Sequence, residues 1–322
     1  MLTPRENLLI AARGGRPEWV PSFIKDACMI PPYKFREMDP VTGTDFYGIR
    51  WVKNEYGMMP DERYRAMTHI SQWRETVRFP DLDKVDWKEM AKIVNSHSDP
   101  DKAKIAMLAA DSLFLVPVNM LGWVEALCTI YEEPEELEAF ITALADYYVK
   151  LAGYIIEYYD PDIVVFGDDV ANANGPFISR EIWTKMYKPH FKRICDAIKS
   201  RGKLAEFHCC GKCSPWLIDE ILDLGTDIME LPVPDEDLLE AKKKYGSRLV
   251  ITGGWDRHGP GGQPGASEEV VRESVRKAID DFGKDGALIF WDGGIAGESE
   301  DANNKRMWVY DELEKYGREV YR

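Results

Sequence analysis

From about residue 103 to the end of the chain, short apolar runs alternate with longer segments whose apolar residues recur every three or four positions. The short runs are rich in β-branched residues and predict strands, whereas the longer segments predict amphipathic helices. An order in which each strand is followed by a helix indicates parallel βα units. Strands are predicted at 104–109, 162–167, 203–208, 226–231, 248–252 and 286–291, and helices at 137–158, 179–200, 215–224, 235–245, 267–282 and 301–316.

The number of these units favours a barrel. At least six follow one another without a break in composition, and 322 residues suit a single (β/α)8 TIM barrel of the α/β class. We therefore expect one domain, 1–322, with a doubly wound open sheet as the second choice. Segment 29–100 has few periodic runs and is expected to be an N-terminal insertion that covers the barrel mouth. Before it, Thr3, Pro4 and Glu6 form a capping-box pattern that predicts a helix start.

The charge and the apolar pattern exclude some classes of partner. Lys and Arg total 41 and Asp and Glu total 56, which gives a net charge of −15. Phosphate backbones are bound by clustered Lys and Arg, so no nucleic acid partner is expected. The most apolar stretch, 105–123, is interrupted by Asp111 and Asn119, and no run reaches the roughly 18 uncharged residues of a membrane helix. Because the chain opens with a helix start rather than a signal peptide, we expect no membrane span and a cytoplasmic location.

Three of the six cysteines, Cys209, Cys210 and Cys213, fall within five residues. In a reducing compartment such a cluster indicates metal or redox chemistry rather than a disulfide framework. A redox Cys-x-x-Cys usually opens a helix, and a zinc ribbon needs a second pair of cysteines, so neither alternative is favoured.

Polar and aromatic side chains are concentrated at the carboxyl ends of the predicted strands. The active sites of parallel barrels lie at these ends, so the residues there are the candidates for a functional site. The opposite strand ends carry only solvating charge. The candidates, in chain order, are Asp168, Asp169, His208, Cys210, Lys212, Cys213, Glu230, Trp255, Asp256, Arg257, His258, Trp291 and Asp292.

The most specific of these features is His208-x-Cys210. Residues two apart on a strand point to the same face, so both side chains are expected to point into the barrel mouth, and Cys209 away from it. An imidazole nitrogen and a thiolate are typical zinc ligands, and Cys213 is placed to add a second thiolate from the following turn. The alternative is a hydrogen-bonded core histidine with small buried cysteines.

Each remaining candidate has a functional and a structural interpretation. Asp168 and Asp169 are candidates for general acid or base, or for support of a neighbouring ligand, and equally for helix capping or core hydrogen bonds. Asp256 and His258 are candidates for proton transfer, although either residue is also placed to hold the Gly-rich loop 253–265. This loop lacks the Gly-Lys-Ser/Thr of a phosphate-binding loop. Trp255 and Trp291 are predicted to form a pocket wall for an aromatic or apolar ligand.

Several of these residues lie in segments that resemble the uroporphyrinogen decarboxylase superfamily over nearly the whole chain. The resemblance implies a TIM barrel. Thr3-Pro4-Arg5-Glu6 and residues 17–21 are similar to the opening helix and the first strand of this family. The other similar segments are Asp168-Asp169 with Gly175-Pro176-Phe177-Ile178-Ser179, and His208-Cys209-Cys210-Gly211-Lys212 with Leu224-Gly225-Thr226-Asp227.

The departures from this family separate two activities. True uroporphyrinogen decarboxylases carry an arginine-rich segment near the N-terminus that neutralises porphyrinogen carboxylates, and this chain has Ser22-Phe23-Ile24-Lys25 there. The corrinoid-dependent methyltransferase branch binds zinc through His-x-Cys and a distant Cys. His208 and Cys210 match the first part, but the distant Cys would fall near Gly293. The resemblance therefore leaves Cys213, Glu230 or Asp292 as substitutes for the third zinc ligand.

The resemblance implies a methyltransferase as the leading hypothesis. It would take a methyl group from a small O-methylated substrate, such as a methoxylated aromatic, and deliver it to a separate corrinoid protein docked over the barrel mouth, as in members that demethylate aryl methyl ethers. One alternative is a decarboxylase with Asp169 as acid and with Arg257 and Lys212 to bind substrate. Another is a non-catalytic binding subunit. A homodimer is possible for each.

Overall fold

The central element is a curled sheet of seven parallel strands whose order in space follows their order in the chain. The computed structural model describes residues 2–30, 39, 41–54, 57–108, 112–295 and 297–322. We number the strands of this sheet β1 Ala27–Ile30, β2 Ala103–Met107, β3 Ile163–Gly167, β4 Leu204–His208, β5 Ile228–Glu230, β6 Val250–Gly254 and β7 Leu288–Trp291. Two short antiparallel hairpins, Trp51–Asn54 with Gly57–Pro60 and Ala171–Asn172 with Gly175–Pro176, lie outside it.

The helices confirm the predicted alternation from residue 103 onward. Pro189 lies in the first turn of a helix that directly follows a π-helical turn at Trp183–Tyr187. At the N-terminus, Thr3 and Glu6 form the predicted capping box. The longer helices are α1 Pro4–Ala12, α2 Trp87–Ser96, α3 Leu115–Leu121, α4 Trp123–Glu132, α5 Pro134–Tyr159, α6 Lys188–Lys199, α7 Pro215–Asp223, α8 Glu236–Tyr245, α9 Glu268–Phe282 and α10 Glu300–Glu319. Single turns lie at Phe23–Asp26, Trp73–Thr76 and Arg180–Ile182.

The two edges of the sheet come together through one short contact. Ser22 forms a parallel bridge with Phe290 of β7, and the Phe290 N–H donates to the Pro21 carbonyl at 2.8 Å. The fold is thus barrel-like. The described residues form the seven strands of the sheet and this bridge, whereas eight strands were predicted. The expected first strand at 17–21 is also wrong, since the first described strand is β1.

The core has two layers because side chains alternate along each strand. Ile163 and Val165 of β3 point into the barrel with Ile228 and Ile289, while Val164 and Phe166 point outward to the helices. At the amino ends of the strands, Leu8, Ala11 and Ala12 of α1 pack into the inner layer and close the barrel from below.

The segment between β1 and β2 differs from the predicted insertion. Met29 and Ile30 belong to β1, so the segment begins after Ile30. Its described part packs along α5, with Tyr47 bonded to Tyr148, Trp73 stacked on Phe140 and Trp87 stacked on Tyr154, and it also bonds to the Met120 carbonyl of α3. Residues 31–38 lie outside the described part.

By length and composition, α5 is apolar enough to cross a membrane. Half of its most apolar window is buried inside the protein, where α5 packs against α2, α4 and α6. These contacts are typical of the core helix of a globular domain.

Candidate functional site

The site is built at the carboxyl end of β4. Phe207 points outward and packs on Trp183 and Phe191, so Glu206 and His208, the residues on either side of it, point into the barrel. In the register between β3 and β4, Gly167 lies opposite His208. The residues that follow these two strands, Asp169 and Cys210, are therefore neighbours.

His208 lies between two carboxylates. Its Nδ1 is 2.8 Å from Oε2 of Glu230 on β5, and its Nε2 is 3.4 Å from Oδ1 of Asp169. Glu230 is buried and fixes the orientation of the imidazole, which leaves Nε2 directed toward Asp169 and Cys210.

Asp169 also binds Cys210 in two ways. The Cys210 backbone N–H donates to Oδ1 at 2.9 Å, and the Cys210 thiol donates to Oδ2 at 3.1 Å. One ligand atom from each of Asp169, His208 and Cys210 lies within 4.8 Å of the others. We call these three residues the mouth cluster.

The donor set of the mouth cluster fits zinc. Nitrogen, sulfur and oxygen ligands lie about 2.0–2.3 Å from zinc, so two ligands of a tetrahedral site are about 3.3–3.8 Å apart. The Cys210 Sγ lies 3.1 Å from Oδ2 of Asp169 and the His208 Nε2 lies 3.4 Å from Oδ1, and one ligand atom from each of the three residues lies within 4.8 Å of the others, so the side chains are gathered closely enough for one metal ion to reach all three. Three protein ligands leave a fourth position for substrate or water, which is typical of catalytic rather than structural zinc sites.

The electrostatics of the mouth cluster follow from its burial and its charges. Burial acts to lower the pKa of His208, but contacts with Asp169, Cys210 and Glu230 outweigh it and raise that pKa well above its ordinary value. Burial acts to raise the pKa of Asp169, yet His208 and Cys210 together hold it below its ordinary value. The pKa of the Cys210 thiol is raised, mainly by burial. Without metal, the cluster is an imidazolium flanked by carboxylates and a neutral thiol.

Asp168 has a structural role and lies outside the mouth cluster. It is fully buried, and its carboxylate accepts hydrogen bonds from the backbone N–H groups of Ser112, Phe114 and Leu115. These groups begin α3, where backbone donors have no partner within the helix. Asp168 therefore fixes the chain that follows β2, which favours the predicted capping role over that of a general acid or base.

The three proposed substitutes for a distant Cys ligand lie elsewhere. Cys213 is buried in the outer core beside Cys209, where contact with Cys213 and burial raise the pKa of Cys209 well above its ordinary value. Asp292 accepts from the Gly294 N–H and lies beside Tyr310 of α10. Glu230 binds the far side of the His208 ring. Asp169, predicted as an acid or base, takes the third position in the cluster instead.

The loop after β6 is exposed and is stabilised by hydrogen bonds among its own residues and to Gly293. The His258 N–H donates to Oδ1 of Asp256, and Arg257 donates to Nε2 of His258 at 3.2 Å and to the Gly293 carbonyl at 2.9 Å. None of Asp256, Arg257 and His258 belongs to the mouth cluster. Lys212, the other predicted substrate-binding cation, pairs with Asp235 at 3.1 Å.

The two predicted pocket tryptophans have different locations. Trp255 is buried in the outer core, with its indole N–H bonded to Ser274 of α9, so its assignment to a pocket wall is wrong. Trp291 packs against the inner layer and against Phe23, with ring centroids 4.6 Å apart. It remains a candidate for the wall of the barrel mouth.

One buried acid escaped sequence analysis. Glu206 is completely buried in the barrel interior, where burial and the charge of Glu230 raise its pKa to about 8. The signal was present, because Glu206 precedes His208 by two positions on a predicted strand and must face the same way.

The fold and the mouth cluster together define a barrel-like α/β protein whose site lies at the carboxyl ends of its strands. The uroporphyrinogen decarboxylase (URO-D) family model matches residues 83–308, more than two thirds of the chain, and the protein belongs to this family. No curated protein matches the sequence.

A solved structure supports the same fold. A methyltransferase from Methanosarcina mazei is similar over 98% of this chain and 99% of its own, with a TM-score of 0.68 and 14% identity, which shows the fold alone. KGPDC from Streptococcus mutans matches at 15% identity over 71% of this chain and 79% of its own, but its TM-score of 0.32 is too low to carry an argument.

Proposed function

We propose that this protein is a methyltransferase that moves a methyl group from a small O-methylated compound, such as a methoxylated aromatic, to the Co(I) of a separate corrinoid protein. The observation that carries the proposal is the mouth cluster, a zinc-type donor set with an open position at the carboxyl ends of the strands of a URO-D family chain. The structural likeness to a methyltransferase over nearly the full length of both chains supports this choice within the family.

His208, Cys210 and Asp169 would hold a zinc ion. When bound, zinc supplies a Lewis acid that polarises the ether oxygen of the methyl donor. Glu230 accepts from Nδ1 of His208 and so keeps Nε2 available to the metal, since the second nitrogen of a ligating imidazole sets its orientation.

In the transfer itself, the electron pair of Co(I) forms the new Co–CH3 bond as the O–CH3 bond breaks. The oxygen keeps the electron pair of the broken bond and takes a proton from water. The task of the protein is to align the methyl carbon with cobalt and to stabilise the developing negative charge on oxygen. Trp291, at the carboxyl end of β7 and packed on Phe23, is placed to form part of a wall for an apolar donor.

Decarboxylation, the activity in the family name, is less well supported. It needs cations beside the acid to bind a carboxylate substrate. Arg257 is bonded to Gly293 and His258, and Lys212 is paired with Asp235 and Asp237. Neither is an ion-pair or hydrogen-bond partner of Asp169 in the described part of the chain.

The test is to mix the purified chain with free cob(I)alamin, or with a Co(I) corrinoid protein, and a panel of methoxylated compounds while recording the cobalt spectrum. We expect methyl-Co(III) with at least one donor, and its loss in His208→Ala and Cys210→Ser. Cys28→Ser, on β1 away from the mouth cluster, is the matched control and should retain activity. No methyl-Co(III) with any donor would refute the proposal.

A further inference from the structure

Helix α4 has two apolar faces, of which one is buried. Ala126, Thr129 and Ile130 face the protein. On the opposite side, Val124 is 78% exposed and Tyr131 is 74% exposed, with the exposed Cys128 between them. Positions 124, 128 and 131 are four and three residues apart and so form one continuous line on the helix. We call Val124, Cys128 and Tyr131 the α4 stripe.

The α4 stripe begins at the rim of the barrel mouth. Trp123, the first residue of α4, contacts Phe177, with ring centroids 4.6 Å apart. The Phe177 N–H donates to the carbonyl of Val170, the residue that follows Asp169 of the mouth cluster. A protein bound along the stripe would therefore lie beside the opening that leads to the mouth cluster.

The surroundings of the α4 stripe are acidic. Residues 105–149 contain eight Asp and Glu and no Lys, Arg or His. Glu125 and Glu132 flank the stripe, and neither takes part in an ion pair within the described residues, whereas Glu133 and Glu136 nearby bind His69 and Arg74. Arg65 lies against Gly122 at the first turn of α4, so the surface is an apolar line whose rim is negative beyond that turn.

We propose that the α4 stripe is the docking surface for the corrinoid protein that accepts the methyl group, and that the matching surface of this partner is apolar with a rim of Lys and Arg. Apolar contacts at the centre and opposite charges at the rim are the usual composition of such interfaces. A second copy of this chain docked stripe to stripe would oppose like charges. The inference rests on the proposed function, because it names the partner of that reaction.

The test compares two methyl acceptors, free cob(I)alamin and a corrinoid protein methylated by the wild-type enzyme. The double variant Val124→Glu with Tyr131→Glu places charge on the α4 stripe, and Glu125→Lys with Glu132→Lys reverses its rim. Met307→Glu, on the exposed side of α10, is the control for added surface charge. All of these positions lie outside the mouth cluster.

Both double variants should raise the KM for the corrinoid protein by about tenfold or more and leave the rate with free cob(I)alamin unchanged. Rim reversal should also weaken the salt dependence of that KM. The control should match the wild type with both acceptors. Three results would each overturn the docking proposal. One is an unchanged KM in the double variants. Another is wild-type activity with cob(I)alamin but with no corrinoid protein, and the third is a dimer that Val124→Glu dissociates. Failure of the wild type with both acceptors would instead overturn the proposed function.

Discussion

His208 is the residue that contacts both carboxylates of the site. It lies between Asp169 and Glu230, and these contacts raise its pKa despite burial. The Cys210 thiol, whose pKa is also raised, is likewise protonated near neutral pH. A metal ion must displace protons from both residues, because zinc binds the neutral imidazole and the thiolate.

Zinc affinity should therefore increase with pH. Between pH 6.5 and 7.5 the apparent Kd should fall by about tenfold to a hundredfold, since up to two protons leave for each zinc bound. Competition with a chromophoric chelator measures this directly. Asp256→Asn, in the exposed loop after β6, should show the wild-type dependence. A Kd that does not change with pH would show that His208 and Cys210 are not the ligands.

Glu230 should act on the metal only through His208. Glu230→Gln keeps the size of the side chain but weakens the hold on Nδ1, so zinc affinity should fall about tenfold to a hundredfold with one zinc still bound per chain. Glu240→Gln, exposed on α8, is the control. Complete loss of zinc would make Glu230 a ligand, and no change would remove its orienting role.

Glu206 should make the stability of the metal-free protein depend on pH. Its pKa is about 8 in the folded state and near 4.5 when unfolded. A raised folded pKa contributes stability that is complete below about pH 4.5 and is lost as pH rises through about 8. Glu206→Gln should be nearly neutral at pH 5 and stabilising by on the order of a few kcal/mol at pH 8.5.

Urea unfolding of both proteins at the two pH values measures this difference. Glu240→Gln should differ from the wild type by the same small amount at each pH. If the effect of Glu206→Gln is equally independent of pH, the pKa of Glu206 is not raised in the folded protein.

At the scale of elements, Asp168 shows how one side chain fixes a helix. Asp168→Ala would leave the backbone donors that begin α3 buried without a partner, and should reduce the free energy of unfolding by about 2–4 kcal/mol. Asp146→Ala, which removes an exposed ion pair with Arg193 on α6, should cost less than about 1 kcal/mol. Equal losses in denaturant unfolding would contradict the capping role.

The strands and helices after residue 103 were predictable because each carries its own periodicity. β1 was missed because its four residues, Ala27–Ile30, are too few to show alternation. The pairing of Asp169 with Cys210 depends on the register of β3 against β4, which no local pattern contains. His208 and Cys210 were found because they lie on one strand, whereas Cys213 and Asp292 were misplaced because turns after strands set side-chain directions that alternation does not predict.

For the whole molecule, α1 closes the barrel from the end opposite the mouth cluster. Leu8 is fully buried in the inner layer, so Leu8→Ala should cost about 2–5 kcal/mol in denaturant unfolding. Met307→Ala, half exposed on α10, should change stability by less than about 0.5 kcal/mol. A small effect of Leu8→Ala would mean that α1 is not part of the barrel core.

A zinc titration of metal-stripped protein tests most directly whether methyl transfer depends on the mouth cluster. The rate of methyl-Co(III) formation from free cob(I)alamin should rise with added zinc and level off at one zinc per chain in the wild type, and should stay at background in Cys210→Ser. Full activity of the stripped protein, or an unchanged titration in Cys210→Ser, would contradict the account.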